Sequence, residues 1–373
     1  MNSLNFEAVK PRLYTEVFDD ICENPRRFFG AANTKNGFLS FFDCIFSPQK
    51  IDTLYILGGG PGSGKSTMMK NVALLSEQKG YLTERIHCSS SPTSLDGVII
   101  PEKRLAVIDG TSPHTYTPKM PGVREISVDP GLAWDTKALF ERKDTISYLG
   151  AAKSKAYKKA YIYLRAANLL ASDEFQANLC HVLLDKLEKN VELLASKELP
   201  KTDGEKDFPC EIRLQRAISC KGNIYFDSFS KIADKTYLVT DFRGIADLWF
   251  AKLYEIAHRK KAKMTVSFCP EDTQKIDGIY FHDSKTTFTR HASSFDKNIN
   301  CARFADKERF SFASRHHSFV EKSKNALLRE SYDALACAGK FHDLIEEQYH
   351  PCTDFSVTQE LCEKLCRDIF GKA

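Results

Sequence analysis

The residues best suited to chemistry lie in the segment GGGPGSGKST, residues 58–67. Gly59, Gly64, Lys65 and Ser66 satisfy the pattern G-x-x-x-x-G-K-[ST] of a P-loop. Glycines let backbone N–H groups curl around a phosphate, the lysine reaches the β- and γ-phosphates, and the serine hydroxyl ligates Mg²⁺. The pattern predicts a site for ATP or another nucleoside triphosphate with Mg²⁺, formed by Gly59, Gly60, Pro61, Gly62, Ser63, Gly64, Lys65, Ser66 and Thr67.

A P-loop also needs a carboxylate for the metal, normally at the end of a neighbouring buried strand. The segment RLAVIDGTSPH, from Arg104, supplies an apolar run that ends in Asp109. We therefore predict Ser66 and Asp109 as metal ligands, and Lys65 and Asp109 as the catalytic residues. The next residue is Gly110, not the glutamate that activates water in many motor-type ATPases, so slow hydrolysis is expected. Three other residues are candidates for a base or γ-phosphate sensor: Asp96, Glu102 and His114.

The elements that must position these residues follow from hydrophobic periodicity. Residues 53–57 and 81–88 are predicted strands, and residues 66–79 have the spacing of a helix. With the strand that ends at Asp109, this order predicts an α/β unit with a parallel sheet. Helices are expected after the sheet, from about residue 135 to 196, as an antiparallel hairpin.

The second half of the chain resembles the first. CSSSPTSLDGVIIP, from Cys88, pairs with CPEDTQKIDGIYFH, from Cys269, at a shift of 181 positions. The same comparison places Arg290 opposite Asp109 and, with one residue of slip upstream, Asp247 opposite Lys65. Both changes oppose phosphate and metal binding, so the second unit is predicted to be degenerate. An alternative role for its cations is an arginine finger directed at the first site, with Arg243, Arg259 or Arg290 as candidates.

The predicted domains are residues 1–200 and 207–373, because residues 198–211 concentrate proline, glycine and charge. Lys and Arg number 53 and Asp and Glu 49, a net charge of +4, which permits a nucleic-acid or protein partner without indicating one. No run is apolar enough for a membrane span, and the N-terminus lacks a signal-peptide pattern, so a cytoplasmic protein is expected.

Two further groups have both functional and structural interpretations. The 12 cysteines contain no C-x-x-C pair, so buried thiols are expected, with a metal or redox role open only for Cys362 and Cys366. The cationic segment from residue 290 to 317 is interpreted as a loop with the charge of a lid over a nucleotide. Within it, adjacent His316 and His317 predict one surface and one packed histidine.

GGGPGSGKST, HCSSSPTSLDGVIIPE and AVIDGTSPH, repeated weakly in FCPEDTQKIDGIY, resemble an uncharacterised bacterial family of tandem-repeat P-loop ATPase-like proteins (P-loop NTPases). The resemblance covers most of the chain. It implies two P-loop units and ATP binding or ATPase activity. DFRGIADLW, in the second half, departs from the pattern because it lacks the lysine.

Three functions fit the sequence. The first is a slow Mg²⁺-dependent ATPase whose degenerate half regulates it, and the absence of an N-K-x-D motif favours ATP over GTP. The second is a small-molecule kinase with the helical hairpin as acceptor site. The third is a nucleotide-gated scaffold that binds nucleic acid or protein, for which residues 153–165 and 303–317 supply basic patches.

Overall fold

The structure is a computed structural model, and it describes residues 26–113, 116–199, 210–312 and 314–371. Most of the predicted linker, residues 200–209, and the candidate base His114 lie outside the described residues.

The two halves of the chain repeat the same succession of strands and helices. The first half contains β1 (Arg27–Phe29), β2 (Ala31–Thr34), β3 (Gly37–Ser40), α1 (Phe42–Ile45), β4 (Thr53–Leu57), α2 (Lys65–Gln78), β5 (Glu84–His87), β6 (Leu95–Ile100), β7 (Leu105–Asp109), β8 (Glu125–Val128), α3 (Thr136–Glu141), α4 (Lys143–Asn178) and α5 (Leu184–Glu198). The second contains β9 (Glu211–Ile212), β10 (Arg216–Ser219), β11 (Gly222–Tyr225), α6 (Ser228–Ile232), β12 (Lys235–Thr240), α7 (Ile245–Arg259), β13 (Met264–Phe268), β14 (Ile276–Phe281), β15 (Thr286–Thr289), β16 (Lys297–Asn300), α8 (Lys307–Phe312), α9 (Ser314–Tyr349) and α10 (Phe355–Phe370).

Each half forms a six-stranded sheet with the same strand order. The first is β1-β5-β6-β7-β4-β8 and the second is β9-β13-β14-β15-β12-β16. The prediction of two α/β units with flanking helices is confirmed at this level. The two segments that are similar in sequence, from Cys88 and from Cys269, also have equivalent strand pairing. Gly97 lies opposite Ile86 in the first sheet, and Gly278 lies opposite Ser267 in the second.

The prediction of purely parallel sheets is wrong. β6 runs antiparallel to both β5 and β7, and β14 runs antiparallel to both β13 and β15. Residues 88–94, between β5 and β6, are too few for the crossover that joins two parallel strands. The sequence predicted a loop between the strand of residues 81–88 and the strand that ends at Asp109, yet Asp96 and Gly97 of this region lie within a buried strand.

Two compact units divide the described residues, and both are discontinuous in sequence. Among the described residues, unit 1 comprises 26–30, 46–155 and 337–371, and unit 2 comprises 31–45 and 156–336. The 36-residue helices α4 and α9 therefore each contribute residues to both units. The two units are defined by contacts between residues, whereas the predicted boundary near residues 200–207 is defined by the sequence repeat. That boundary therefore stays a prediction.

The helix that covers each core comes from the other half of the sequence. In unit 1, α10 contributes Cys362, Leu365, Cys366 and Ile369 to the core that contains Met68, Met69 and Val72 of α2. In unit 2, α5 contributes Leu187, Val191 and Ala195 to the core that contains Trp249, Phe250 and Leu253 of α7. An amphipathic stripe requires cover for a helix but does not specify which segment supplies it.

The two cysteines of α10 belong to the core of unit 1. Cys362 and Cys366 are buried core residues, and Asn71 donates a hydrogen bond to the Cys362 sulfur at 3.4 Å. The segment from residue 290 to 317 is not one loop, because β16, α8 and the start of α9 occupy half of it. His316 is exposed and His317 is half-buried, as the sequence predicted.

None of the described helices is long and apolar enough to cross a membrane.

Candidate functional site

The glycine loop, residues 58–64, connects the buried strand β4 to helix α2, so the predicted strand, loop and helix are confirmed. Gly59, Gly62 and Gly64 have φ of 83°, 68° and 84°. These are left-handed values that favour glycine. Gly64 also has no room for a side chain, because a Cβ there would lie 2.8 Å from Cγ2 of Thr358, which belongs to α10. The backbone of the loop is therefore fixed both locally and by the C-terminal helix.

Lys65, the first residue of α2, directs its ammonium group back over the loop. Its Nζ donates a hydrogen bond to the Gly60 carbonyl oxygen at 2.7 Å and lies 3.5 Å from Ser63 Oγ. The Asp109 Oδ2 atom is 3.9 Å away. The lysine is 9% exposed, so its charge depends on these few oxygens for compensation.

Asp109 reaches this position because β7 lies parallel and adjacent to β4, with Asp109 opposite Leu57. Its Oδ1 atom accepts hydrogen bonds from the backbone N–H and the hydroxyl of Thr111, at 2.8 and 2.6 Å. Burial raises the pKa of Asp109, and Lys65 and Thr111 oppose that change. The carboxylate is therefore short of compensating positive charge.

A second carboxylate and a hydroxyl lie on the same side of unit 1. Ser66 Oγ accepts a hydrogen bond from the Leu95 backbone N–H at 3.0 Å, which connects α2 to β6. The next residue of β6 is the buried Asp96, whose charge contributes to the raised pKa of Asp109. The structure thus brings Lys65, Ser66, Asp96 and Asp109 together from three elements.

Another predicted candidate lies elsewhere. Glu102 precedes β7 and accepts a hydrogen bond from the Leu82 backbone N–H at 3.1 Å. It therefore lies at the beginning of the strand that ends in Asp109, one strand length from the lysine, and it is not a candidate base for this site.

Four side chains near the glycine loop were not predicted from the sequence. Oε1 of Glu346 accepts a hydrogen bond from the Gly62 backbone N–H at 3.3 Å. A Cβ on Gly62 would lie 3.0 Å from the His350 ring, and a Cβ on Gly60 would lie 3.2 Å from Trp134 and 3.8 Å from Tyr349. Glu346, Tyr349 and His350 lie more than 280 positions after the loop. They could have been predicted only if a contact between the loop and the end of α9 had been expected.

The charges around Glu346 are those of a partly buried polar cluster. His342 Nε2 lies 3.5 Å from Glu346 Oε1 on the same helix. Burial lowers the pKa of His342, and Glu346 opposes that change. Burial likewise lowers the pKa of Lys153, again against the effect of Glu346. Lys153, predicted as part of a basic patch, is therefore a neighbour of the glycine loop's carboxylate.

Unit 2 contains a counterpart of the loop with different residues. Gly244 precedes α7 with φ 87° and ψ 0°, as Gly64 precedes α2 with φ 84° and ψ 4°. Ile245 therefore corresponds to Lys65, and Asp247 corresponds to Thr67. The predicted alignment of Lys65 with Asp247 is wrong by two residues, because sequence similarity alone did not fix the length of the loop.

Internal groups occupy the start of α7. The Asp241 carboxylate accepts hydrogen bonds from the backbone N–H groups of Gly244 and Ala246 at 3.0 and 2.8 Å. A Cβ on Gly244 would lie 2.6 Å from the Phe175 ring. The amides that could cradle an anion therefore already have one from the chain itself.

Arg290 directly follows β15, as Asp109 ends β7, so this part of the predicted alignment agrees with the structure. Its guanidinium donates a hydrogen bond to Asp247 and lies 3.8 Å from Asp277. Lys275 also pairs with Asp247 at 2.8 Å. The side chain is thus engaged within its own unit, and the arginine-finger hypothesis stays untested.

Comparison with known proteins identified no relative. No family profile, no curated protein and no solved structure matches the chain. The chemistry of the site therefore depends on its own geometry.

Proposed function

We propose that the chain binds Mg²⁺ and ATP at the glycine loop of unit 1 and hydrolyses the nucleotide slowly. The observation that carries the proposal is the convergence of Lys65 and Asp109, 3.9 Å apart, at the loop between β4 and α2. An ammonium group, backbone N–H groups and the start of a 14-residue helix at one place favour a phosphate ligand.

The residues present fit Mg²⁺. Ser66, Asp96 and Asp109 offer hydroxyl and carboxylate oxygens, which are the ligands that Mg²⁺ prefers. The Ser66 oxygen accepts one hydrogen bond, from Leu95, and a hydroxyl oxygen has a second lone pair. The metal would neutralise phosphate charge, while Lys65 and the loop amides hold the phosphates. The buried Thr358 hydroxyl has no hydrogen-bond partner among the described residues, which is consistent with a ligand beside Gly64.

Hydrolysis is proposed to be slow because no glutamate follows Asp109 in the sequence. The adjacent carboxylates, Asp96 and Glu346, are the groups available to orient a water molecule near the loop. In unit 2, the Asp241 carboxylate takes the place of a phosphate, so this unit is proposed to regulate and not to bind nucleotide. A cytoplasmic location, expected from the sequence, belongs to the same proposal.

The direct test is calorimetry of MgATP binding to the wild-type chain and to Lys65→Ala, with Lys79→Ala as control. Lys79 ends the same helix and lies outside the loop. A hydrogen bond to a charged group contributes about 1.5–3 kcal/mol, so Lys65→Ala should weaken binding roughly 10- to 100-fold. Lys79→Ala should bind as the wild type does. Wild-type protein that takes up no MgATP, or equal affinity of both variants, would refute the proposal.

One observation favours a kinase as the second candidate. An open surface depression of about 400 Å³ is lined by Tyr349, which lies near Gly60, together with Thr136, Leu139, Phe140, Lys143, Ile146 and Ser147. In this proposal a small phosphoryl acceptor would bind there, beside the loop. The acceptor site would then include α3 and the start of α4, which belong to unit 1. ATP consumption that begins only when a metabolite is added would identify this reaction.

The third function, a nucleotide-gated scaffold, predicts binding without turnover. Phosphate release at the level of the Lys65→Ala variant, together with intact MgATP binding, would favour it over both enzymes. Retention on nucleic acid would then have to fall steeply with salt concentration, because counterions are released when phosphates are neutralised.

A further inference from the structure

Three metal-ligating side chains converge in unit 2, within a part of the chain that the proposed ATP site does not use. Glu174 lies near the end of α4, and His317 and Glu321 lie in the first turns of α9. One potential ligand atom from each residue lies within 4.8 Å of the other two. His317 and Glu321 are four residues apart, so the helix presents them on one face.

The three residues differ from an ordinary exposed acidic group. Glu174 is 5% exposed, and its Oε1 atom lies 2.6 Å from Nδ1 of His317. Glu321 is half-buried and forms an ion pair with Lys324. Two carboxylates this close repel each other, and taking even one of them out of water is costly unless positive charge accompanies it. A divalent cation between them supplies that charge.

The repeat itself does not require these polar residues. Helices α4 and α9 both have 36 residues, so positions 171 apart correspond. At the corresponding positions the chain has Ile345 for Glu174, Ile146 for His317 and Gly150 for Glu321. The same helices therefore form with apolar residues at these places, and the polar set is particular to unit 2.

We propose that Glu174, His317 and Glu321 bind one transition-metal ion of the Zn²⁺ class. An imidazole with two carboxylates is a ligand set for Zn²⁺, and two ligands at i and i+4 of one helix are a recurrent geometry of zinc sites. Metal bonds of about 2.0–2.2 Å place tetrahedral ligand atoms about 3.4 Å apart, so side-chain rotation suffices to close the present separations. Three protein ligands leave one position for water or another small ligand.

Binding replaces the hydrogen bond between Glu174 and His317 by bonds from both residues to the metal. The ring binds the metal through the nitrogen that carries no proton, so a neutral imidazole keeps its one proton on the other nitrogen and a protonated imidazole releases its second proton to the buffer. The metal gains three bonds, one hydrogen bond is lost, and no electron is transferred.

The test titrates ZnCl₂ into the full chain without nucleotide, so its outcome is independent of the proposed ATPase. Calorimetry should show that the wild type binds one more equivalent than His317→Ala does. His316→Ala is the matched control, because this neighbour is exposed and outside the cluster, and it should bind as the wild type does. Circular dichroism should verify that both variants are folded.

Cysteine thiolates also bind Zn²⁺, so the total number of Zn²⁺ ions bound per chain does not test the proposal. The decisive quantity is the difference in bound Zn²⁺ between the wild type and each variant. Glu174→Gln should lose the same equivalent, since the amide is a poor ligand of the same shape. Co²⁺ should give a visible absorption band that disappears in both ligand variants and persists in His316→Ala. Equal stoichiometry of wild type and His317→Ala would overturn the proposal.

Discussion

Glu346 accepts a hydrogen bond from the backbone N–H of Gly62 at 3.3 Å, although 284 residues separate them in sequence. The amide belongs to the loop that we propose to hold phosphate, so a carboxylate of the chain lies where a negatively charged ligand would bind. In unit 2 Asp241, a residue of the loop itself, accepts hydrogen bonds from the amides of Gly244 and Ala246, which correspond to Gly64 and Ser66. Each unit thus has a carboxylate on its loop amides, but the two carboxylates bind different amides and come from different distances along the chain.

The first prediction concerns this carboxylate. Glu346→Gln should bind MgATP several-fold more tightly, because the variant removes a negative charge, worth about 1 kcal/mol at a partly exposed site, that competes with phosphate. Glu347→Gln, an exposed neighbour on the same helix, is the control and should not change the affinity. If instead affinity is unchanged and turnover falls in Glu346→Gln alone, Glu346 orients water and does not compete with the nucleotide.

The second prediction is a pH dependence that follows from Asp109. Burial raises the pKa of Asp109 above the usual 3.8. The contribution of this carboxyl group to folding stability is therefore fully present below pH 3.8 and is lost as the pH rises through the raised pKa. Asp109→Asn should therefore be more stable to urea than the wild type at pH 7, and the difference should shrink toward pH 4. The same variant should lose Mg²⁺-dependent nucleotide binding.

Asp52→Asn provides the opposite case for that experiment. Hydrogen bonds with Arg104 lower the pKa of Asp52. The contribution of this carboxylate to folding stability is therefore present above its usual pKa of 3.8 and is lost on acidification. No gain in stability at pH 7 is expected for this variant. A gain equal to that of Asp109→Asn would show that burial of Asp109 is not the cause.

The third prediction concerns the buried charges of unit 2. Arg216 pairs with Asp277 at 2.9 Å and with Glu271 at 2.6 Å. Burial alone would raise the pKa of Glu271, but Arg216 holds it at about 2. Arg216→Met removes the closest cation from the buried Asp277 and the half-buried Glu271, so it should lower the free energy of unfolding by about 3–5 kcal/mol. Chemical denaturation measures this change.

Arg259→Met is the matched control. Arg259 is exposed and forms an i,i+4 pair with Glu255 at 3.8 Å. Such pairs contribute about 0.3–0.5 kcal/mol, so the variant should unfold almost as the wild type does. A loss of similar size in both variants would contradict a structural role for the Arg216 cluster.

The fourth prediction is a stoichiometry of one MgATP per chain. In unit 2, Ile245 replaces the lysine, Asp241 occupies the loop amides and Phe175 contacts Gly244. Calorimetry should therefore find one site in the wild type. A second equivalent that persists in Lys65→Ala would demonstrate nucleotide binding by unit 2 and would require a different account of Asp241.

The sequence determined the local structure on which the proposed site depends. The pattern Gly59 to Ser66 after an apolar run specified strand, loop and helix, because backbone conformation and hydrophobic period are local properties. The shift of 181 positions likewise identified the repeat of Asp96 and Asp277, since residues in corresponding strands keep their spacing. Asp109 was found for the same reason, as the polar end of a buried strand.

Only the tertiary structure decided which distant segments complete each unit. The stripe on α2 requires apolar cover, and the chain supplies it with α10 and not with the helix that follows the first sheet. Glu346, Thr358 and the Glu174 cluster acquire their neighbours through that exchange. Side-chain packing across long sequence separations depends on shape and total burial, which a linear pattern does not encode.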